Sequence, residues 1–200
     1  MKTLLLTGFE PFLKYPVNPT MKIAEELHGM EIGGYTIHSE ILPVEFSVSG
    51  NRLVEHMEAI KPDAVLSLGL SGGRFKITPE RIAINVSDGP ADNTGHAPVD
   101  ESIMNDGADG YFTNMPIRKM VDAVKKAGLP AAISNTAGAY LCNNVMYRAL
   151  HHAQQQHGML AGFIHIPASH DLAVEHGKVP SWSHEDLKRG IIACIEVLGE

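Results

Sequence analysis

Cysteine and long apolar segments are both scarce in this sequence, and each shortage excludes a class of protein. Two cysteines in 200 residues do not make a disulfide framework, which favours a reducing compartment. No stretch approaches the roughly 20 apolar residues of a membrane-spanning helix. The apolar start at residues 1–6 is interrupted by Glu10 and Pro11 before it reaches the roughly 7–15 apolar residues of a signal peptide core. We therefore predict a cytoplasmic protein with no membrane partner.

Positive charge is also in short supply. The chain carries 16 Lys and Arg against 23 Asp and Glu, a net charge of -7, and it contains no run of basic residues. This balance argues against a nucleic-acid partner. The hydrophobic content of 44% is ordinary for a globular protein. A chain of this length is expected to form one domain, spanning 1–200, with a sizeable core.

Short apolar runs alternate with amphipathic stretches along the chain. Strands are predicted at 3–7, 35–42, 64–68, 82–86, 131–133 and 160–166, and helices at 19–27, 46–60 and 116–127, after residue 140, and from about 183. Alternation of this kind predicts an α/β fold, a three-layer α/β/α sandwich with a mostly parallel, open twisted sheet. A loop at 88–110 is long enough to be either functional or disordered.

Ligands of open α/β sheets bind outside the carboxyl ends of the strands, so the segments that leave the strands are the place to look for chemistry. These segments are 8–19, 69–80, 134–144 and 165–170. Three of the four contain a group with a possible catalytic role.

Cys142 is the first of these groups, and it falls in the first turn of a predicted helix that follows a predicted strand. Unpaired N–H groups and the positive end of the helix dipole favour a thiolate at such a position. The alternative is a small buried hydrophobe. That alternative fully accounts for Cys194, which lies on the apolar face of the last predicted helix.

His165 is the natural base for a thiol nucleophile. It lies at the end of the apolar strand 160–166, which Pro167 stops. Its alternative is a core histidine with satisfied hydrogen bonds, but a cysteine at a neighbouring strand exit favours the catalytic reading. Among the other histidines, His96 and His170 lie in loops and remain possible.

Glu80 is the candidate for the third group, which would hold the tautomer of the base. It stands immediately before the apolar run 82–86. It could instead be solvated, or pair with Arg74 or Arg81. Its rivals are three carboxylates of the long loop: Asp88, Asp92 and Asp100.

Six short blocks stand in a specific order along essentially the whole chain. They are 7–12 (TGFEPF), 18–19 (NP), 72–74 (GGR), 80–85 (ERIAIN), Ala137-Gly138 followed by Cys142-Asn143, and 162–167 (GFIHIP). With these blocks the chain resembles the pyroglutamyl-peptidase I, or pyrrolidone-carboxylate peptidase, family. The resemblance implies a cysteine peptidase that removes N-terminal 5-oxoproline from peptides, with a triad falling on Cys142, His165 and Glu80.

The same resemblance implies a pocket for the flat lactam ring. The corresponding positions are Phe9, Phe12, Asn18, Leu70 through its backbone, Tyr140 and Leu141. Phe9 and Phe12 would sandwich the ring, unless both simply pack in the core. Backbone N–H groups at the start of the Cys142 helix would hold the oxyanion. No metal or organic cofactor is implied, and the chain is expected to form a homo-oligomer, a tetramer.

Three segments depart from the family pattern. Leu13-Lys14 replaces a usual Gly-Gly, and 168–171 (ASHD) replaces an aromatic residue with Pro-Glu-Gln. The segment 87–93 (SDGPADN) lacks an arginine that the family associates with the oxyanion site. This last departure leaves open a homologue that binds lactams without turnover. A second alternative is a nucleoside-phosphorylase-like enzyme in which the Gly-Gly-Arg segment 72–74 cradles phosphate.

Overall fold

The computed structural model describes residues 1–12 and 15–199, and a six-stranded sheet lies at its centre. Its strands are β1 (Lys2–Phe9), β2 (Glu31–Ile32), β3 (Tyr35–Leu42), β4 (Ala64–Leu70), β5 (Thr78–Pro79) and β8 (Leu160–Ile166). Their order across the sheet is β2-β3-β1-β4-β8-β5. The four long strands pair in parallel, while β2 and β5 pair antiparallel at the two edges. The predicted mostly parallel sheet is confirmed.

Helices cover both faces of this sheet. They are α1 (Pro19–Leu27), α2 (Ser49–Ile60), α3 (Ile117–Lys126), α4 (Leu141–Gln154), α5 (His170–His176) and α6 (His184–Glu196). Successive side chains of a strand point to opposite faces, and in β1 Leu4 and Leu6 pack in the cluster with α1, α3 and α6. Leu5, between them, packs in the cluster with α2 and α4. The predicted three-layer α/β/α arrangement is therefore confirmed.

Helix starts follow the capping residues that the sequence contains. The Asn18 side chain accepts the Thr20 N–H at 3.2 Å, and Pro19 is the first helical residue of α1. Ser183 caps α6 by accepting the Asp186 N–H at 3.1 Å. The Asn18 cap fixes where α1 begins after β1. This part of the chain forms one wall of the site described below.

Two predicted strands differ from the structure. The segment 131–133 forms only an isolated bridge, between Ala131 and Ile77. It does not extend into a strand because its partner, β5, has only two residues, and one of them, Pro79, has no N–H to donate. The predicted strand 82–86 is shortened to β6 (Ile82–Ile84), which pairs with β7 (Gly110–Phe112) in a separate two-stranded sheet.

Smaller differences lie at other element ends. The helix predicted from residue 46 begins at Ser49, after a turn. A short parallel pair, β9 (Ala168–Ser169) and β10 (Ser181–Trp182), flanks α5 and was not predicted. None of the helices in the described ranges has the length and apolar character needed to cross a membrane.

Candidate active site

The carboxyl ends of β1, β4 and β8 meet at one edge of the sheet, and the predicted site residues gather there. β4 and β8 run in register, with Gly69 opposite His165 and Leu70 opposite Ile166. Glu80 enters from the edge strand β5, because its N–H donates to the Phe163 carbonyl at 2.9 Å. Residues far apart in sequence thus become neighbours through strand pairing.

His165 and Glu80 form a short buried hydrogen bond. The Nδ1 atom of His165 lies 2.7 Å from Oε1 of Glu80. Glu80 is 0% exposed and His165 is 6% exposed. A carboxylate only accepts, so Nδ1 carries the proton and the other ring nitrogen, Nε2, is left as an acceptor. This is the tautomer that a general base requires.

Cys142 is the second residue of α4, and its Sγ lies close to the backbone of β4 at Gly69. A Cβ built on Gly69 would stand 2.9 Å from that sulfur. Burial raises the pKa of the Cys142 thiol to about 12, and the Glu80 charge adds to this while Arg74 opposes it. Burial also lowers the pKa of His165, against the raising effect of Glu80. Burial therefore opposes the charged forms of both groups, against the effect of the helix N-terminus, which favours the thiolate.

Glu80 has a second partner on the same oxygen. Nη1 of Arg74 lies 2.7 Å from Oε1 and also donates to Oγ1 of Thr78, while Oε2 is buried with no hydrogen-bond partner in the described part of the chain. From the sequence, Glu80 could pair either with an imidazole or with an arginine. In the structure both groups contact its Oε1 atom. Arg81 points elsewhere, since its Nε donates to Oδ1 of Asn135 at 2.8 Å.

The rival groups have other partners. Oδ2 of Asp88 accepts the Asp100 N–H at 3.1 Å, and Oδ2 of Asp92 accepts the Phe46 N–H at 2.8 Å. His96 lies 3.6 Å from Glu101, and Nδ1 of His170 lies 2.9 Å from Oγ of Ser181. None of these contacts involves His165, whose carboxylate partner among the described residues is Glu80.

Asn143, next to Cys142, joins α4 to β6, the strand that follows Glu80 in the chain. Its Oδ1 accepts the Ile84 N–H at 2.9 Å, and its Nδ2 donates to the carbonyls of Ile84 at 2.8 Å and Val86 at 2.9 Å. The side chain is fully buried. Sequence reasoning used Asn143 only as part of a resemblance, although a polar amide among the apolar positions of a helix is itself a signal for a buried hydrogen-bonding role.

A cavity of about 180 Å³ opens beside Cys142 and His165. Every pocket position that the resemblance implied lines it, together with two apolar residues that were not predicted: Phe9, Phe12, Asn18, Leu70, Tyr140 and Leu141, with Val44 and Ala137. The walls are mostly apolar, and the volume suits a single small ring. The long loop 88–110 borders this cavity, because the Tyr140 hydroxyl donates to the Ala91 carbonyl at 3.4 Å.

Asn18 lines this cavity with an amide that is largely committed to the chain itself. Its Oδ1 accepts from the N–H and hydroxyl of Thr20, and its Nδ2 donates to the Glu10 carbonyl at 3.1 Å. It therefore shapes the wall more than it offers free polar atoms.

Of the departures from the family pattern, Leu13-Lys14 lies outside the described residues. Ser169 caps α5 by accepting the Leu172 N–H at 3.3 Å.

A family model described as pyroglutamyl peptidase matches residues 1–200. The chain belongs to this family. It is 54% identical to the pyrrolidone-carboxylate peptidase of Oceanobacillus iheyensis, over 99% of this chain and 100% of that protein. It is 58% identical to the one of Lysinibacillus sphaericus, over 98% and 96%.

Solved structures agree with this placement. The crystal structure of Bacillus amyloliquefaciens pyroglutamyl peptidase I superposes with a TM-score of 0.93 at 37% identity, covering 98% of this chain and 96% of that one. Pyrrolidone carboxyl peptidase from Thermococcus litoralis gives 0.94 at 38% identity, covering 98% and 93%. The resemblance seen in the sequence and the α/β fold class are both confirmed, and the chain is a cysteine-type omega peptidase, a hydrolase. The nucleoside-phosphorylase-like alternative is wrong.

Proposed function

We propose that this peptidase removes N-terminal 5-oxoproline from peptides, with Cys142 as nucleophile, His165 as acid and base, and Glu80 orienting His165. The observation that carries the proposal is the 2.7 Å bond between His165 Nδ1 and Glu80 Oε1. It lies beside a cavity of about 180 Å³ that both His165 and Cys142 line. Base and nucleophile are thus both exposed to the space where a small ring would bind.

The first step starts from a neutral thiol and a neutral imidazole. Burial disfavours both charged forms, so the thiolate–imidazolium pair forms as the sulfur attacks the carbonyl carbon next to the ring and Nε2 of His165 takes the thiol proton. Glu80 stabilises the imidazolium that results, because its carboxylate accepts the Nδ1 proton.

The tetrahedral intermediate then carries a negative oxygen. The first N–H groups of α4 have no partner within the helix and lie where Cys142 begins, so they are the donors for this oxyanion. When the intermediate collapses, the C–N bond breaks and His165 gives its proton to the leaving amine. A thioester remains, and water deprotonated by His165 cleaves it, releasing 5-oxoproline and restoring the thiol.

The cavity walls support selection of a small flat ring. Phe9 and Phe12 supply apolar faces, and Leu70 closes the cavity at the end of β4. A site that hydrogen-bonds the lactam carbonyl should reject proline, which lacks it, by about 10⁴-fold. Comparable cleavage of prolyl and pyroglutamyl amides would contradict this pocket assignment.

A chromogenic pyroglutamyl amide tests the activity directly. We expect amine release that needs no phosphate and is lost after alkylation by iodoacetamide. Binding of 5-oxoproline with no amine release would contradict the proposal and support a lactam-binding homologue without turnover. The tetramer implied by the family resemblance stays a prediction, and sedimentation or size-exclusion measurement checks it.

A further inference from the structure

The Gly-Gly-Arg segment 72–74 is not used in the mechanism above, yet its arginine contacts the triad. We propose that Arg74 is a positioning residue that holds Oε1 of Glu80 against Nδ1 of His165. The inference rests on the proposed function, since it assigns Glu80 the orienting role. Arg74 does not line the cavity, so it acts through Glu80 and not on the substrate.

Burial of Glu80 makes a charge partner necessary. The Glu80 side chain is 0% exposed, and its Oε2 has no hydrogen-bond partner among the described residues. A carboxylate charge buried away from water is costly unless a cation or hydrogen-bond donors compensate it. Arg74 is the cation at 2.7 Å, and its side chain is 29% exposed, so it connects the buried carboxylate to solvent.

The backbone fixes Arg74 at this position. The Ser71 N–H donates to the Ile166 carbonyl at 2.9 Å, and the Arg74 N–H donates to the Ser71 carbonyl at 2.9 Å. This turn follows β4 directly and bends the chain back towards Glu80. Nη1 of Arg74 also donates to Oγ1 of Thr78, whose hydroxyl donates to the His165 carbonyl at 3.4 Å. Arg74 is thereby linked to both residues of the Glu80–His165 hydrogen bond.

Among the described residues, the charged groups that act on His165 are Glu80 and Arg74, and the titratable Cys142 lines the same cavity. Burial is the main cause that lowers the pKa of His165, Glu80 raises it, and the Arg74 charge lowers it further. Arg74 also lowers the pKa of Cys142, against the larger effect of burial. Removing this cation should therefore raise the pKa of both the base and the nucleophile.

The test compares Arg74→Gln, Arg74→Lys and the control Arg81→Gln in full-length enzyme. Arg81 lies beside Glu80 in sequence, but its guanidinium bonds Asn135, so the control removes the same charge without touching the triad. We expect Arg74→Gln to lower kcat about 10²-fold with KM changed less than about threefold. The acid limb of kcat/KM should move to higher pH, and Arg74→Lys should return that limb to the wild-type position. Arg81→Gln should match wild type in all three quantities.

The rate of Cys142 alkylation by iodoacetamide, followed by peptide mass spectrometry, gives a readout that needs no turnover. Arg74→Gln should slow it at a fixed pH because fewer thiols are ionised. A wild-type enzyme inert on pyroglutamyl amides would overturn the proposed function, while alkylation would still test Arg74. Equal alkylation rates, an unmoved acid limb in Arg74→Gln, or an equal loss in Arg81→Gln would overturn the role of Arg74. If Arg74→Gln does not fold, Arg74→Lys decides: a moved acid limb in that variant would contradict the charge argument.

Discussion

Gly69 leaves the space that the sulfur of Cys142 occupies. A Cβ at this position would stand 2.9 Å from Sγ and 2.6 Å from two atoms of the Phe163 ring, below the 3.0 Å that real Cβ atoms keep. Both neighbours are fixed, since Phe163 is buried in β8 and Cys142 belongs to the first turn of α4. The glycine therefore leaves room for the Cys142 sulfur and the Phe163 ring.

Gly69→Ala should displace Cys142 and cut kcat by about 10²-fold, because misplacing a reacting atom by about 1 Å has that effect. The matched control is Gly73→Ala in the following turn, where a Cβ would meet nothing within 4 Å. Steady-state kinetics on a pyroglutamyl amide measures both. Equal activity of the two variants would mean that the sulfur tolerates the shift.

Cys142→Ser should abolish hydrolysis while the protein remains folded, because a hydroxyl ionises far less readily than a thiol. The internal control is Cys194→Ser, since Cys194 is fully buried on α6 in the core cluster of the opposite sheet face. That variant should retain near-normal kcat and lose some stability from the buried hydroxyl. Measurements of kcat and of thermal unfolding for both variants check these expectations. An active Cys142→Ser enzyme would contradict the assignment of Cys142 as the nucleophile.

Glu80→Gln should lower kcat by about 10³-fold or more with a much smaller change in KM. An amide can turn its NH₂ group towards Nδ1, which favours the wrong tautomer, and it cannot stabilise an imidazolium. Asp88→Asn and Asp100→Asn are the controls, because their contact lies within the long loop. If Glu80→Gln kept its kcat and one of the loop variants lost it, the carboxylate that orients His165 would lie in that loop.

Asp92→Asn should lower the free energy of unfolding and leave kcat unchanged. Its Oδ2 accepts the Phe46 N–H, while Oδ1 accepts from Thr94 and from the His96 N–H at 3.0 Å. An amide nitrogen must replace one oxygen and face a donor, at a cost of about 1–3 kcal/mol in the free energy of unfolding.

The same side chain predicts a pH dependence. Burial opposes ionisation of Asp92, but hydrogen bonds led by the Phe46 N–H outweigh it and lower the pKa. A carboxyl whose folded-state pKa is lowered stabilises the fold above its unfolded pKa of about 3.9, and this stability is lost as pH falls through the folded value. Denaturant unfolding should show the gap between wild type and Asp92→Asn at pH 7 and its shrinkage below about pH 4. A gap independent of pH would show that charge is not involved.

Local patterns in the sequence predicted much of this fold and site. Asn18-Pro19 marks the start of α1, and the apolar run 160–166 forms β8 with His165 near its end, as expected. Both signals lie within a few neighbouring residues, so they can be recognised without the rest of the chain. The rule that ligands bind at the carboxyl ends of strands then brought Cys142, His165 and Glu80 together.

Other features depend on contacts that no local pattern contains. The sharing of Glu80 Oε1 between Arg74 and His165 arises where β5 meets β8, and the hydrogen bonds of Asn143 join α4 to β6. The segment 131–133 has the composition of a strand but finds only an isolated bridge, because its partner segment is short and contains Pro79. The resting charge state of Cys142 likewise depends on burial, which the position at a helix start does not reveal.

The bond between His165 and Glu80 joins residues 85 positions apart, and this separation has a kinetic consequence. Contacts between distant parts of a chain form after the large entropy cost of closing the intervening loop has been met. During synthesis Glu80 and Cys142 leave the ribosome before the strand that bears His165. In the mechanism proposed above, a partly made chain therefore has a thiol but no base to activate it. On that proposal, hydrolytic capacity arises only when β8 takes its place in the sheet, so that the last long strand of the sheet to be synthesised also completes the site.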